Sequence, residues 1–111
     1  TCGGMTKILD LIVANGCDAS ETLSPKAIGG DITDPAIVKE AIGDRVCLIG
    51  GMDQFNVLTY GSPEDIRREV HRLFDALGEG GGYILSPSDH FFDTPKENLV
   101  VFAKAAHECV Y

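Results

Sequence analysis

The sequence predicts an α/β protein built around a parallel sheet, and two observations support this fold class. Helix patterns alternate along the chain with short apolar runs, in the order helix, strand, helix, strand, helix, strand, helix. The middle run, residues 46–49, is continuously apolar, which is typical of a strand covered by helices on both faces. Right-handed βα units connect strands of this kind.

The first two helix patterns both end at a glycine. The first is predicted over residues 6–15, where apolar residues recur at helical spacing. The second starts in the segment TDPAIVKEAIG, with Thr33 or Asp34 as N-cap and Pro35 in the first turn, and it ends at Gly43.

The third and fourth helix patterns begin with capping boxes. In SPEDIRREVHRLFDALG, Ser62 and Asp65 form the box, and Gly78 ends the helix. In TPKENLVVFAKAAHECV, the corresponding pair is Thr94 and Glu97. The third pattern also has one apolar stripe, which predicts its buried face. This stripe consists of Ile66, Val70, Leu73, Phe74 and Leu77.

Three short runs, CDASETL, RVCLIGG and GYILS, predict the strands. The alternation of elements requires one more strand before the first helix, and three parallel strands alone leave two open edges. We therefore expect the chain to be the C-terminal part of a larger α/β protein. The open edges also suggest a homo-oligomer in which these strands pair with other copies.

Composition excludes several classes of partner. A chain of 111 residues forms one domain at most, and its net charge of −8 argues against nucleic acids and anionic membranes. No apolar run approaches the roughly 20 residues of a membrane helix. Because the cysteines are unevenly spaced without a C-x-x-C pair, we expect a reducing, cytoplasmic location. They are Cys2, Cys17, Cys47 and Cys109.

In parallel α/β folds, ligands bind where the strands end. Four polar or glycine-rich segments have this position here, namely TCGG, ETLSPKAIGGD, GGMDQFN and SPSDHFFDTP. The pair Asp89–His90 in the last segment is predicted to be catalytic. Imidazole titrates near neutral pH, and a carboxylate carries protons or binds metals.

Other residues of these segments are predicted to bind a small-molecule substrate, namely Glu21, Asp53 and Ser88. Two of them have a structural alternative. Glu21 could form a loop hydrogen bond, and Asp53 could form a turn through its side chain. Cys2 could be a nucleophile or a metal ligand, or it could have no role.

Four segments together point to a known family. In order they are TCGG, IGDRVCLIGGMD, SPEDIRREVHRLFDALGEGGGYILSPS and DTPKENLVVFAKAA, and they extend through essentially all 111 residues. In them the sequence resembles the C-terminal part of the uroporphyrinogen decarboxylase superfamily, which also includes cobalamin-dependent methyltransferases. The resemblance implies a TIM (β/α)8 barrel. Residues 1–111 would supply its last three strands and four helices, and the N-terminal part of the barrel would be absent.

The decarboxylase branch removes acetate carboxyl groups from a tetrapyrrole without a cofactor. Its main catalytic aspartate and its substrate-binding arginines come from the N-terminal part of the barrel. The C-terminal histidine loop of the family corresponds to SPSDHFF. Asp89 occupies the histidine position, and His90 follows one residue later. The resemblance therefore implies a fragment of a decarboxylase of porphyrin biosynthesis, without activity of its own.

The methyltransferase branch provides an alternative with different cofactors. Its zinc is bound by a His-x-Cys pair and a distant cysteine, and its methyl group passes through a corrinoid partner protein. Cys2 matches the cysteine of the pair, and Asp89 corresponds roughly to the distant cysteine. The resemblance thus predicts zinc ligation by Cys2 and Asp89 in this case. A third alternative is a catalytically inactive, oligomerising α/β module.

Overall fold

The computed structural model describes residues 2–111 and confirms the predicted sheet. Its strands are β1 (Ala19–Thr22), β2 (Cys47–Met52) and β3 (Tyr83–Pro87). All are parallel and pair in the order β1-β2-β3. The α/β class and the order of elements predicted from the sequence are therefore confirmed.

Helices connect the strands on the pattern expected for βα units. They are α1 (Leu9–Ala14), α2 (Pro35–Ile42), α3 (Pro63–Leu77) and α4 (Lys96–Glu108). The first is shorter than the predicted range 6–15, because its first turn, Thr6–Ile8, is a 3-10 helix. Two further short elements follow strands, a 3-10 helix at Lys26–Ile28 and a π-helix at Gln54–Thr59.

Two of the predicted helix caps are present. The side chain of Asp34 accepts a hydrogen bond from the Ala36 amide at the start of α2. Ser62 and Asp65 form a complete capping box at the start of α3. The hydrogen bonds from Ser62 lower the pKa of Asp65 to about 2, since they favour the charged carboxylate.

The predicted capping box of Thr94 and Glu97 is wrong. Helix α4 begins at Lys96 after Pro95, which provides no side-chain cap. The Thr94 hydroxyl lies instead 2.7 Å from the Thr59 hydroxyl at the end of the π-helix. A contact across the fold thus replaces the local cap and joins α4 to the π-helix.

The hydrophobic core lies between the sheet and α3. In the sheet register Leu48 pairs with Ser20 on one side and Tyr83 on the other, and all three are buried on the same face. Helix α3 packs on β2 and β3 and is flanked by α2 and α4. Its buried residues are Ile66, Val70, Leu73 and Leu77, so four of the five residues of the predicted stripe are confirmed as core.

The other face of the sheet is less well covered than predicted. Within residues 46–49, Val46 and Leu48 are buried, whereas Cys47 and Ile49 are half-buried. On the neighbouring strand Ile84 pairs with Ile49 and is 52% exposed. Burial on both faces is thus wrong for residues 2–111, because their helices pack mainly on one side. No helix formed by these residues is long and apolar enough to cross a membrane.

Strands β1 and β2 approach each other closely at their carboxyl ends. Gly50 has φ of +115°, and it pairs with Thr22, whose φ is +88°. A Cβ atom at Gly50 would lie 3.1 Å from the carbonyl carbon of Thr22. Glycine is needed here both for its backbone conformation and for the space beside it.

We therefore predict that Gly50→Ala lowers the free energy of unfolding by about 2–4 kcal/mol, from backbone strain and a clash with β1. Gly29→Ala is the matched control, because Gly29 also has a strongly positive φ (+91°) but nothing within 4 Å of its Cβ position. It should cost about 1–2 kcal/mol. Urea unfolding of both variants measures the difference, and equal losses would contradict the proposed clash.

Candidate functional site

The carboxyl ends of β1 and β3 open onto one cavity. It has a volume of about 500 Å³. Five of the six residues predicted to form a site lie around it: Cys2, Glu21, Ser88, Asp89 and His90. The other lining residues are Thr22, Ser86, Pro87 and Phe91. The segment that contains Cys2, the end of β1 and the loop after β3 are thus brought together as expected, whereas the segment GGMDQFN, with Asp53, supplies none of the described lining residues.

Asp89 and His90 form a hydrogen-bonded pair at the rim of this cavity. The Asp89 Oδ1 atom accepts the backbone N–H of His90 at 2.7 Å and lies 2.7 Å from the Nδ1 atom of its ring. These bonds, the backbone one first, lower the pKa of the Asp89 carboxyl. The carboxylate orients the imidazole through Nδ1, which leaves Nε2 as the atom that can exchange a proton with a ligand.

Cys2 approaches the same carboxylate from the segment before the first helix. Its Sγ atom is 3.9 Å from the Asp89 Oδ2 atom, and the residue is exposed. A zinc site with an open position uses three protein ligands. Within residues 2–111, no three side chains of His, Cys, Asp or Glu are arranged to bind a metal ion. The two donors Cys2 and Asp89 therefore do not make a zinc site by themselves.

Ser88 contributes to the cavity wall while its side chain joins two strands. It is buried, and its Oγ atom accepts the backbone N–H of Gly51 at 3.0 Å. Its own amide donates to the Met52 carbonyl at 2.9 Å. Substrate binding by Ser88 and by Glu21, which is exposed at the cavity, stays a prediction.

Asp53 has a structural role, which agrees with the alternative that its side chain forms a turn. It is 5% exposed, and its Oδ1 atom accepts the amides of Phe55 and Asn56 at the start of the π-helix. Its Oδ2 atom accepts the side-chain amide of Asn56 at 2.9 Å. Asp53 is not one of the described residues that line the 500 Å³ cavity. Contact between Asp53 and a substrate stays a prediction, and the bonds of its carboxylate to the π-helix do not support it.

Asp31 positions the segment that contains Cys2. Its carboxylate accepts the backbone N–H groups of Met5 and Thr6 and the hydroxyl of Thr6. A Cβ atom at Gly4 would lie 2.9 Å from the Asp31 Oδ2 atom, so the segment passes close to this carboxylate. The Thr6 hydroxyl and then the Met5 amide lower the pKa of Asp31.

Sequence reasoning did not identify Asp31 or Thr22 as parts of this site. Asp31 ends the long loop after β1, and its partners are 25 and 26 residues away, so no local pattern indicates the contact. Thr22 lines the cavity with φ of +88°. Threonine is β-branched and rarely adopts a positive φ, so the sequence does not indicate this conformation.

A parallel sheet with an acid–imidazole pair at its carboxyl edge defines a general class of α/β protein whose ligands bind at the strand ends. Comparison with known proteins identifies the family. The model of the uroporphyrinogen decarboxylase (URO-D) family matches residues 1–109. The chain belongs to the uroporphyrinogen decarboxylase family.

Curated relatives agree with this assignment. The chain is 39% identical over 102 residues to the uroporphyrinogen decarboxylase of Psychromonas ingrahamii, covering 90% of this chain and 26% of that protein. It is 40% identical over 109 residues to that of Aliivibrio salmonicida, covering 96% of this chain and 27% of the relative. The chain therefore spans about a quarter of the length of these relatives.

The lowered pKa of Asp31 predicts a pH-dependent contribution to stability. The contribution is present above the ordinary pKa of 3.8 and is lost as the pH falls through the lower pKa of the folded state. Asp31→Ala should therefore lower the melting temperature at pH 7, and the difference from the parent should shrink below pH 3.8. Melting curves from pH 7 to pH 2.5 measure this effect.

Asp44→Ala serves as the control, because Asp44 is highly exposed and, among residues 2–111, forms an ion pair only with the neighbouring Arg45. It should change the melting temperature little at any pH, since exposed ion pairs contribute little to stability. A pH-independent effect of Asp31→Ala would contradict stabilisation by its carboxylate.

Proposed function

We propose that the chain forms the C-terminal part of a (β/α)8 barrel with uroporphyrinogen decarboxylase activity. Three features support the barrel: the parallel order β1-β2-β3, helices that pack mainly on one face, and a length of 26–27% of the relatives. In a barrel, the half-buried Ile49 and exposed Ile84 would face the packed interior.

The observation behind the proposed activity is the Asp89–His90 pair beside the 500 Å³ cavity. When an acetate side chain loses its carboxyl group, the C–C bond breaks and carbon dioxide leaves. The electron pair stays on the methylene carbon, which must then accept a proton to become a methyl group. We assign the transfer of this proton to His90, with Asp89 orienting its ring and balancing its charge. This chemistry needs no cofactor.

The charge of the cavity indicates that other parts of the barrel take part in binding. Its described lining includes the acids Glu21 and Asp89 but no lysine or arginine. A tetrapyrrole with several carboxylates requires cationic partners. We therefore propose that these come from the remainder of the barrel, and that residues 1–111 alone do not decarboxylate the substrate. The proposed location is the cytoplasm.

The test uses the protein with its complete barrel and measures carbon dioxide released from uroporphyrinogen. His90→Gln removes the proton carrier and should lower kcat by about 100-fold. His107→Gln changes a histidine in the last turn of α4 and should leave kcat unchanged. Normal turnover by the His90 variant would contradict the assigned role, and turnover by residues 1–111 alone would contradict the need for the rest of the barrel.

Methyl transfer is the second candidate, because the Cys2 thiol lies 3.9 Å from the Asp89 carboxylate. Thiolate and carboxylate are both zinc ligands, and bound zinc lowers the pKa of a thiol substrate. In this case the remainder of the barrel must supply at least one more ligand, and a corrinoid protein must be the partner.

Metal analysis of the protein with its complete barrel distinguishes the two candidates. Methyl transfer predicts stoichiometric zinc that is lost in Cys2→Ala and retained in Cys17→Ala. The control changes a cysteine whose thiol donates to the Ile12 carbonyl. Absence of zinc from the parent protein would contradict this candidate and leave decarboxylation.

The inactive module is the third candidate, supported by the open edges of β1 and β3 and by Ile84. It predicts that residues 1–111 form a stable oligomer through these strands. Light scattering measures the mass in solution, and replacing Ile84 by Lys should return the oligomer to monomers. A monomer at all concentrations would contradict this candidate.

A further inference from the structure

A second, smaller cavity lies beside the first and has largely aromatic walls. Its volume is about 160 Å³, and only His90 and Phe91 are shared with the larger cavity. The π-helix after β2 provides one side, and the loop after β3 provides the other. The lining residues are Gln54, Phe55, Thr59, Tyr60, His90, Phe91, Phe92 and Asp93.

The rings of this cavity form two pairs. Phe55 and Tyr60 are arranged edge to face, with centroids 5.0 Å apart. His90 and Phe92 are stacked, with centroids 5.7 Å apart and planes 5° from parallel. Phe55, Tyr60 and Phe92 are all more than half exposed. Exposed aromatic faces of this kind attract cations through the negative charge above the ring.

One polar atom in the cavity wall lacks a hydrogen-bond partner. The Oε1 atom of Gln54 is buried and has no donor among residues 2–111. The nearby Thr59 hydroxyl is already engaged, since it bonds to the Gln54 carbonyl and to Thr94. Because this atom is buried, a ligand in the open cavity does not reach it, and the groups that a ligand can contact there are the exposed rings and Asp93.

The charges around the cavity favour a cation. Asp93 is an acid in the lining, and the described lining has no lysine or arginine. The imidazole of His90 is paired with Asp89, so this pair has a net charge of zero or −1 in either protonation state of the ring. The chain as a whole has a net charge of −8, which raises the local concentration of cations.

From the exposed rings and the charges we propose that this aromatic cavity is a binding site for a small alkylammonium ion. The alkyl groups contact Phe55, Tyr60 and Phe92, and Asp93 balances the charge. This proposal does not rest on the proposed decarboxylase activity: His90, to which the proton transfer is assigned, also lines this cavity, but the proposed contacts are made by three other rings and by Asp93.

The test titrates the 111-residue chain with trimethylammonium chloride and follows the ring protons by NMR. Saturable shifts of the Tyr60 and Phe55 signals are expected in the millimolar range. Tetramethylammonium has the same charge and should bind with similar affinity, because the rings and Asp93 act on that charge. tert-Butanol, a neutral molecule of similar shape, should bind more weakly than trimethylammonium. Equal affinity for trimethylammonium and tert-butanol would overturn the proposal.

Variants assign the binding to this cavity. Tyr60→Leu and Asp93→Asn should each weaken trimethylammonium binding about fivefold. The matched controls are Tyr111→Leu and Asp75→Asn, which change an exposed tyrosine and an aspartate that line a different cavity. Unchanged affinity in both cavity variants would overturn the proposal. Circular dichroism verifies that each variant is folded.

The exposed rings also constitute an apolar patch, which a second copy of the chain could cover. Light scattering at the concentrations of the titration distinguishes this outcome. A dimer that becomes monomeric in Tyr60→Leu and binds no trimethylammonium would overturn the proposal, because the patch would then be an interface between copies. A monomer with saturable binding supports it.

Discussion

The candidate site depends on one buried connection between the ends of β2 and β3. The Ser88 hydroxyl accepts the Gly51 amide, and the Ser88 amide donates to the Met52 carbonyl. These bonds continue the strand pairing beyond β3 and hold the chain in place immediately before Asp89 and His90. A hydroxyl on this side chain therefore determines where the acid–imidazole pair projects. The Ser88 hydroxyl thus positions this pair, whether or not it also contacts a ligand.

Each loop at the carboxyl edge is held by a different polar residue. Asp31 binds the segment before α1, Asp53 caps the π-helix, and Ser88 joins β3 to β2. The hydroxyls of Thr59 and Thr94 then connect the π-helix to the start of α4. Much of the polar chemistry at this edge thus maintains loop geometry. Only some of the acidic residues there remain available for a ligand, and Asp89 with its histidine is the clearest example.

The sequence predicts best where the signal is local. Proline at a helix start, glycine at its end and an apolar stripe at helical spacing identify α2 and α3, and the continuous run before Gly50 identifies β2. Position at the strand ends also brings together most of the predicted site. Prediction fails where a distant partner decides the outcome. Thr94 looks like a helix cap, but its hydroxyl contacts Thr59, and the role of Asp31 depends on a segment 25 residues earlier.

The simple order of the sheet has a consequence for how such a protein can be assembled. Within residues 2–111 each strand pairs with the next one along the chain, and no connection crosses another strand of the sheet. The chain can therefore be divided between two βα units. A break there separates adjacent strands, and no segment has to pass through another. Folding can proceed unit by unit through contacts between consecutive segments. Separate pieces of such an architecture can in principle be produced apart and reassociate along their strand edges.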